Sequence, residues 1–324
     1  MRNAGDLSMQ TDSPSVLIVG AGAVGALFGS ALARQGARVS VVCRSDHEQV
    51  SRDGYRIRSP LLGDHVFRPA AVLRDVAECG SPPDYLILTV KVLPDFNRAA
   101  LIRPAVGAAT VIVLIENGID IEAEIAQAFP HNELLSSLAF VAVGRTGPGE
   151  VHHLSLGSLV LGRYPSGVTP AAQRLAALFE ASKVGCKLDE NVVTARWQKA
   201  VWNATFNPIS IMGGVLDTET MLRTEADRAF VRRAMQEVCD VAAAVGHPLR
   251  PQVIDQMIAN TVAMPAYKTS MALDYENGRP MEIEAILGNT VRAGRKAGVA
   301  IPVLETIYAL VKMIERNDKR PTAG

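Results

Sequence analysis

Four apolar residues in a row, Val16-Leu-Ile-Val19, lead into a glycine-rich stretch, and small residues at helical spacing follow as far as Ala33. That pattern predicts a strand, a tight turn and a helix start. Ala37 to Cys43 reads as a second strand, reached through a helix ending near Gly36. Two further runs, Tyr85 to Val90 and Val111 to Ile115, are almost continuously apolar. Strands covered on both faces have no polar alternate positions, so these runs predict buried parallel strands. Residues 54–68, around Gly63-Asp64, predict a short hairpin inserted in the sheet. Leu134 to Val143 predicts another strand, and Gly147-Pro148-Gly149 a turn. Val151 to Leu154 and Ser158 to Leu161 then read as an antiparallel hairpin finishing the sheet. Residues 170–184 predict a helix, and Cys186 to Asp189 closes this half.

From Val192 the periodicity becomes helical. Thr194 to Pro208 is long and largely apolar, and Asp227 to Val245 forms another helix ending at Gly246-His-Pro248. Pro251 to Val262 and Thr269 to Tyr275 follow. Pro280 suits the first position of a helix, where a missing N–H does no harm, and that helix runs to about Ala297-Gly298. Ile301-Pro302 starts the last one. No internal repeat, low-complexity tract or heptad run interrupts the chain.

The glycines of the first turn carry the first chemical signal. Gly20, Ala21, Gly22, Ala23, Val24 and Gly25 form a GxGxxG loop between a strand and a helix. Gly20 permits the sharp turn, Gly22 lets backbone approach a pyrophosphate, and Gly25 lets helix and strand pack closely. The free N–H groups of the helix N-terminus then face phosphate charge. This predicts a Rossmann-type α/β dinucleotide-binding domain over residues 15–189, an all-helical substrate and catalytic domain over 190–324, and a mobile polar tail over 1–14. The residue after the second strand normally selects the cofactor. Here it is Arg44, a guanidinium suited to the extra phosphate of NADP(H) rather than to a bare ribose. An ordinary solvated arginine is the alternative. Lys91 and Glu116-Asn117-Gly118 follow the two apolar strands, and strand carboxyl ends face the ligand crevice in such folds.

Composition narrows the partners. The 324 residues carry 33 Lys+Arg against 33 Asp+Glu, so no global field draws in nucleic acid or an anionic membrane surface. Cys43, Cys79, Cys186 and Cys239 form no CxxC pair and read as reduced thiols of a cytoplasmic protein. Ser15 to Ala33 is uncharged but glycine-broken, and Asp6 and Asp12 against one Arg2 do not make the flank of a signal peptide. His152 and His153 sit side by side on a strand and point to opposite faces, so no metal site is expected. A homodimer interface on the apolar helical domain is left open.

Lys199, Asn203 and Asn207 recur every fourth residue on the helix from 194 and form one polar stripe among Trp197, Ala200, Val201, Trp202, Ala204 and Phe206. Such a stripe either faces solvent or needs buried partners.

With these motifs the chain resembles the ketopantoate reductase family of NADP-dependent 2-dehydropantoate 2-reductases. The resemblance covers nearly everything after residue 15. It rests on the joint order of GxGxxG, Lys91, Asn117-Gly118, Gly147-Pro-Gly149 and Trp197-x-Lys199-x-x-x-Asn203-x-x-x-Asn207-Pro208. Ser270-Met271 with Asp274, Gly278-Arg-Pro-x-Glu282-Ile-Glu284, Gly298 and Ile301-Pro302 complete it. The resemblance implies reduction of a 2-oxo acid at its C2 ketone by NADPH, with Lys199 as general acid. It implies Asn117, Asn203, Asn207 and Ser270 as substrate contacts, Lys91 near the nicotinamide ribose or phosphates, and Glu282 as an orienting residue between cofactor and substrate. Burial and a nearby cation would lower the proton affinity of Lys199, whereas Glu282 would raise it. Glu282 is expected in the first turn of its helix.

Four sites depart from the family pattern. Glu116 stands where Gln or His is usual, Asp217-Thr218 replaces an Asn-Gly, and Leu287-Gly288 replaces another, with Met281 in place of a threonine. These departures are expected to border the substrate pocket. Reduction of a different small 2-oxo acid, or a protein that senses NADP without catalysis, are the competing readings.

Overall fold

The computed structural model describes residues 13–317. The expected tail lies outside the described residues except for Ser13 and Pro14. Ten strands make one sheet. They are Ser15–Val19 (β1), Arg38–Val42 (β2), Tyr55–Arg58 (β3), His65–Phe67 (β4), Val72–Leu73 (β5), Tyr85–Leu88 (β6), Val111–Ile115 (β7), Leu134–Gly147 (β8), Glu150–Arg163 (β9) and Gly185–Leu188 (β10). The order is β4-β3-β9-β8-β7-β6-β1-β2-β5, with β10 also pairing to β9. The run from β8 through β5 is parallel throughout.

The apolar runs have a direct physical cause. Val16 and Ile18 of β1 pack on one side with Phe28 and Leu175, from the helices Ala23–Ala33 and Pro170–Ala181. Leu17 and Val19 pack on the other side with Ile102 and Ile125, from Arg98–Ile102 and Ala123–Ala128. β6 and β7 divide in the same way. Both faces of the sheet are covered, so neither alternate position is polar.

The chain winds from β1 to β2 in one direction and returns to β6 on the other side of β1. The glycine loop therefore opens at a topological switch point, where ligands of such sheets bind. Gly20 has φ +93°, and a Cβ there would come within 2.6 Å of Val90 Cγ1. A Cβ on Gly25 would lie 2.6 Å from Thr89 Oγ1 and 2.9 Å from the Gly20 carbonyl. The Thr89 hydroxyl donates to the Gly20 carbonyl at 2.7 Å, and the Tyr55 hydroxyl donates to that of Ala21 at 2.8 Å.

Two expectations need correction. Val151 to Leu154 and Ser158 to Leu161 are not two strands of a hairpin. They belong to the single strand β9, which pairs antiparallel with β8 along its length. Leu156 and Gly157, both at positive φ, kink β9 in a bulge, and that break in the pattern imitates a turn. The short edge strand β5 was not anticipated.

Among the described residues beyond β10 every helix or strand element is helical. The longest helix, Val192–Met212, packs against Glu225–Ala244, Ser270–Glu276 and Pro302–Asn317 around a separate core that includes Phe206, Met235 and Leu304. The second correction lies at Pro280. Residues 280–282 are irregular, helical geometry begins at Ile283, and 284–288 form a π-helical turn continuing into Asn289–Ala297. Glu282 precedes this helix, and its carbonyl accepts the first helical bond from the Ile286 N–H at 3.0 Å.

The contacts around Gly25 predict that Gly25→Ala destabilises the fold by about 1–3 kcal/mol, the usual cost of overpacking. Urea unfolding of the two proteins checks this, and equal midpoints would contradict the packing reading.

Candidate active site

The helix Ala23–Ala33 starts at Gly22 with no side chain capping it and no acid in its first turn. Its leading amides are free of side-chain competition. A Cβ on Gly22 would meet nothing closer than the Gly20 carbonyl at 3.9 Å, so one face of the loop is open. These features fit a dinucleotide pyrophosphate. Arg44, just past β2, is exposed and makes no hydrogen bond or ion pair among the described residues.

The polar stripe does not face solvent. Asn207 is 1% exposed, and neither atom of its amide has a partner among the described residues. Lys199 and Asn203 line a small cavity of about 10 Å³ together with Asn117, Gly118, Leu138, Arg196, Ala200 and Ile286. Lys199 Nζ donates to Asn117 Oδ1 at 2.9 Å and to the Ala139 carbonyl at 2.7 Å, and it lies 5.3 Å from the centre of the Phe140 ring. Its partners are neutral. Burial, assisted by the Arg196 charge and opposed by Glu282, holds its pKa down to about 7 from 10.5. The competition that composition alone leaves open is thus decided by desolvation.

Glu282 Oε1 accepts from the Val92 N–H at 3.0 Å. Burial raises its pKa, against the Val92 N–H, Lys91 and Asn117. Lys91 reaches across to the helical half, donating to the Pro280 carbonyl at 2.7 Å and pairing with Asp274 at 2.6 Å. Ser270 opens its helix and is exposed, without a side-chain hydrogen bond among the described residues. Its neighbour Thr269 caps that helix and bonds Ser210 of the long helix at 2.8 Å.

The departures from the family pattern mostly lie away from this cavity. The carboxylate of Glu116 turns into the fold and pairs with Arg98 at 2.7 Å. Burial pushes its pKa up to about 8 even so. Leu287 is fully buried in the helical core. Asp217 accepts from the Thr220 N–H at 2.8 Å and caps a short turn. None of the three lines the Lys199 cavity. His153 is buried against the Ser59 hydroxyl at 2.8 Å, while His152 is exposed.

With this geometry established, comparison with known proteins identifies the family. The description "Ketopantoate reductase PanE/ApbA" matches residues 16–166, and "Ketopantoate reductase PanE/ApbA C terminal" matches residues 191–315. The chain belongs to the ketopantoate reductase family. It is 30% identical to a 2-dehydropantoate 2-reductase of Nostoc sp., over 93% of this chain and 95% of that one. The crystal structure of 2-dehydropantoate 2-reductase from Methylococcus capsulatus superposes with a TM-score of 0.90 at 52% identity, covering 96% of this chain and 99% of that one. A ternary structure of D-mandelate dehydrogenase with NADH and anilino(oxo)acetate superposes at 0.84 with 25% identity, over 93% of this chain and 98% of that one. As a ketopantoate reductase family member the chain is an NADP(H)-dependent oxidoreductase. Among the described residues no helix is long and apolar enough to cross a membrane.

Arg98 and Arg196 escaped the sequence reading. Arg196 stands three residues before Lys199 on a helix otherwise suited to burial, and an arginine there was the available signal.

The depressed affinity of Lys199 has a stability consequence. The folded protein releases this proton near pH 7 and the unfolded chain near 10.5. Between these values the unfolded state binds more protons, so stability rises with pH. Compared with Lys199→Met, the wild-type melting temperature should gain a few degrees between pH 7 and 10. A difference independent of pH would contradict a buried, depressed lysine.

Proposed function

We propose that the protein reduces 2-dehydropantoate to (R)-pantoate, a step of pantothenate and coenzyme A biosynthesis. The supporting observation is the partly buried Lys199 ammonium, held by neutral acceptors just past β7 and within β8 and balanced near neutrality. We take residues 15–189 as the cofactor-binding unit and 190–324 as the unit that supplies most of the catalytic groups.

NADPH, when bound, supplies hydride to the C2 carbonyl carbon. The backbone of Gly20, Ala21, Gly22, Ala23, Val24 and Gly25 would hold its pyrophosphate, Arg44 its 2′-phosphate, and Lys91, Asn117 and Glu282 the nicotinamide end. As the C2 carbon gains hydride, its oxygen gains charge, and Lys199 donates a proton to that oxygen. The alcohol leaves with one hydride and one proton more than the ketone. A lysine with a pKa near 7 carries the proton in a large fraction of molecules at neutral pH and gives it up readily. Asn203 lies one turn beyond Lys199 in the same cavity and would bond the substrate hydroxyl or carboxylate. Asn207, buried with both amide atoms unpartnered, is supported as a second polar contact, and its desolvated amide would otherwise remain a cost. Ser270 would close the pocket from the exposed side. Glu282, tied to the Val92 N–H, would orient substrate against cofactor.

A second reading, reduction of another small 2-oxo acid, draws on the Phe140 ring beside Lys199. It draws also on the similarity to D-mandelate dehydrogenase bound to an aryl oxoacetate analogue.

Turnover over a panel of 2-oxo acids separates the readings. Ketopantoate should rank first, and finding it among the poorest substrates would reject the assignment. Lys199→Ala should lower kcat by about 10²–10⁴-fold while NADPH still binds. The wild-type reduction rate should fall as pH rises through about 7, as Lys199 loses its proton. Arg44→Ala should weaken NADPH much more than NADH in fluorescence titrations, and equal losses would remove its 2′-phosphate role.

A further inference from the structure

Arg196 is 2% exposed, and its guanidinium is directed at one corner of the fold. Nη1 donates to the Glu116 carbonyl at 2.9 Å and to the Gly118 carbonyl at 3.1 Å. Nη2 donates to Ser136 Oγ at 2.7 Å and to the Ser137 carbonyl at 3.4 Å. Nε pairs with the Glu122 carboxylate at 2.6 Å, and Ser136 Oγ donates to the same carboxylate at 2.6 Å. The two carbonyls gripped by Nη1 flank Asn117, whose side chain accepts from Lys199. Arg196 and Lys199 are three residues apart on one helix and both line the same cavity.

We infer that Arg196 is a positioning residue of the reaction, holding Asn117 against Lys199 and keeping a permanent positive charge beside the ammonium. The inference rests on the reading of Lys199 as proton donor.

Three elements bring charge toward Lys199. Its own helix contributes Arg196. The segment before Ile283 contributes Glu282, which the Lys91 charge also influences. The loop after β7 contributes Glu116 and Glu122, each already paired with an arginine, Arg98 and Arg196 respectively. Arg196 is the cation beside Lys199 that lowers its proton affinity, adding to the effect of burial. A guanidinium stays charged at every working pH, so this push does not titrate away. Its planar fork spans two carbonyls and a carboxylate at once, which a single ammonium cannot do.

Charge and geometry are separable by substitution. Arg196→Lys keeps the charge and loses the fork. It should lower kcat about 10-fold or more through a misplaced Asn117–Lys199 pair, with the pH midpoint little changed. Arg196→Gln loses both, and its pH midpoint for kcat should move up by about one unit. Arg196→Gln/Glu122→Gln removes the carboxylate that the single variant would leave unpaired, and it should show the same upward shift. Competitive acetylation of Lys199 across pH, read by peptide mass spectrometry, measures the same midpoint without catalysis.

Folded variants with wild-type kcat and an unmoved Lys199 midpoint would overturn the inference. So would failure of all three to fold, which would make Arg196 a residue of stability alone. If instead Lys199→Ala retains full turnover, the proton-donor reading fails first, independently of any result at Arg196.

Discussion

The structure depends on one buried cation at the seam between sheet and helices. The Arg196 guanidinium meets the turn after β7, the start of β8 and the Glu122 carboxylate in a place water does not reach. Burying such a charge costs several kcal/mol unless it is paired and its remaining donors are satisfied. Here both terminal nitrogens are hydrogen-bonded and Nε is paired with a carboxylate, so the cost is offset only when these segments reach their native positions together. A second buried arginine, Arg98, does the same one layer away with Glu116, Glu124 and the Ile121 carbonyl. Between them, residues 116–124 have almost no freedom to shift.

That rigidity reaches the helical half. Gly118, at φ +115°, lies so close to the π-helical turn that a Cβ would come within 2.7 Å of the Ala285 carbonyl. The same carbonyl accepts from the Ile119 N–H at 2.9 Å, and Asn289 bonds the Ile119 carbonyl at 2.6 Å. Lys91 with Asp274 and Val92 with Glu282 add a parallel set of ties. Asn117, Lys199 and Glu282 thus come from three distant stretches and meet at this seam, with Asn117 between the other two. Desolvation at this seam is the largest influence on the proton affinity of both Lys199 and Glu282.

The readings that went astray share a cause. A bulge and a turn produce the same gap in an alternating pattern, so β9 looked like two strands. Pro280 suits a helix start, but the chain extends three residues further before coiling, and this brings the Glu282 carboxylate to the Val92 amide. Glu116 looked like a pocket residue because its neighbour Asn117 is one. Adjacent side chains at a strand end point in opposite directions, and Glu116 points inward to Arg98.

By itself the sequence determined the parallel strands, the glycine loop and the change to helix after residue 190. These follow from local periodicity and from the lack of a Cβ at Gly20 and Gly25. It also brought Lys199, Asn203 and Asn207 onto one stripe, since helical spacing is a local property. Only the tertiary structure decided that the stripe turns inward and that Lys199 faces Asn117. It alone decided that burial outweighs Glu282 in setting the lysine's affinity. Desolvation and ion pairing depend on what surrounds a group in three dimensions, and the residues that surround Lys199 come from parts of the chain that no local pattern connects.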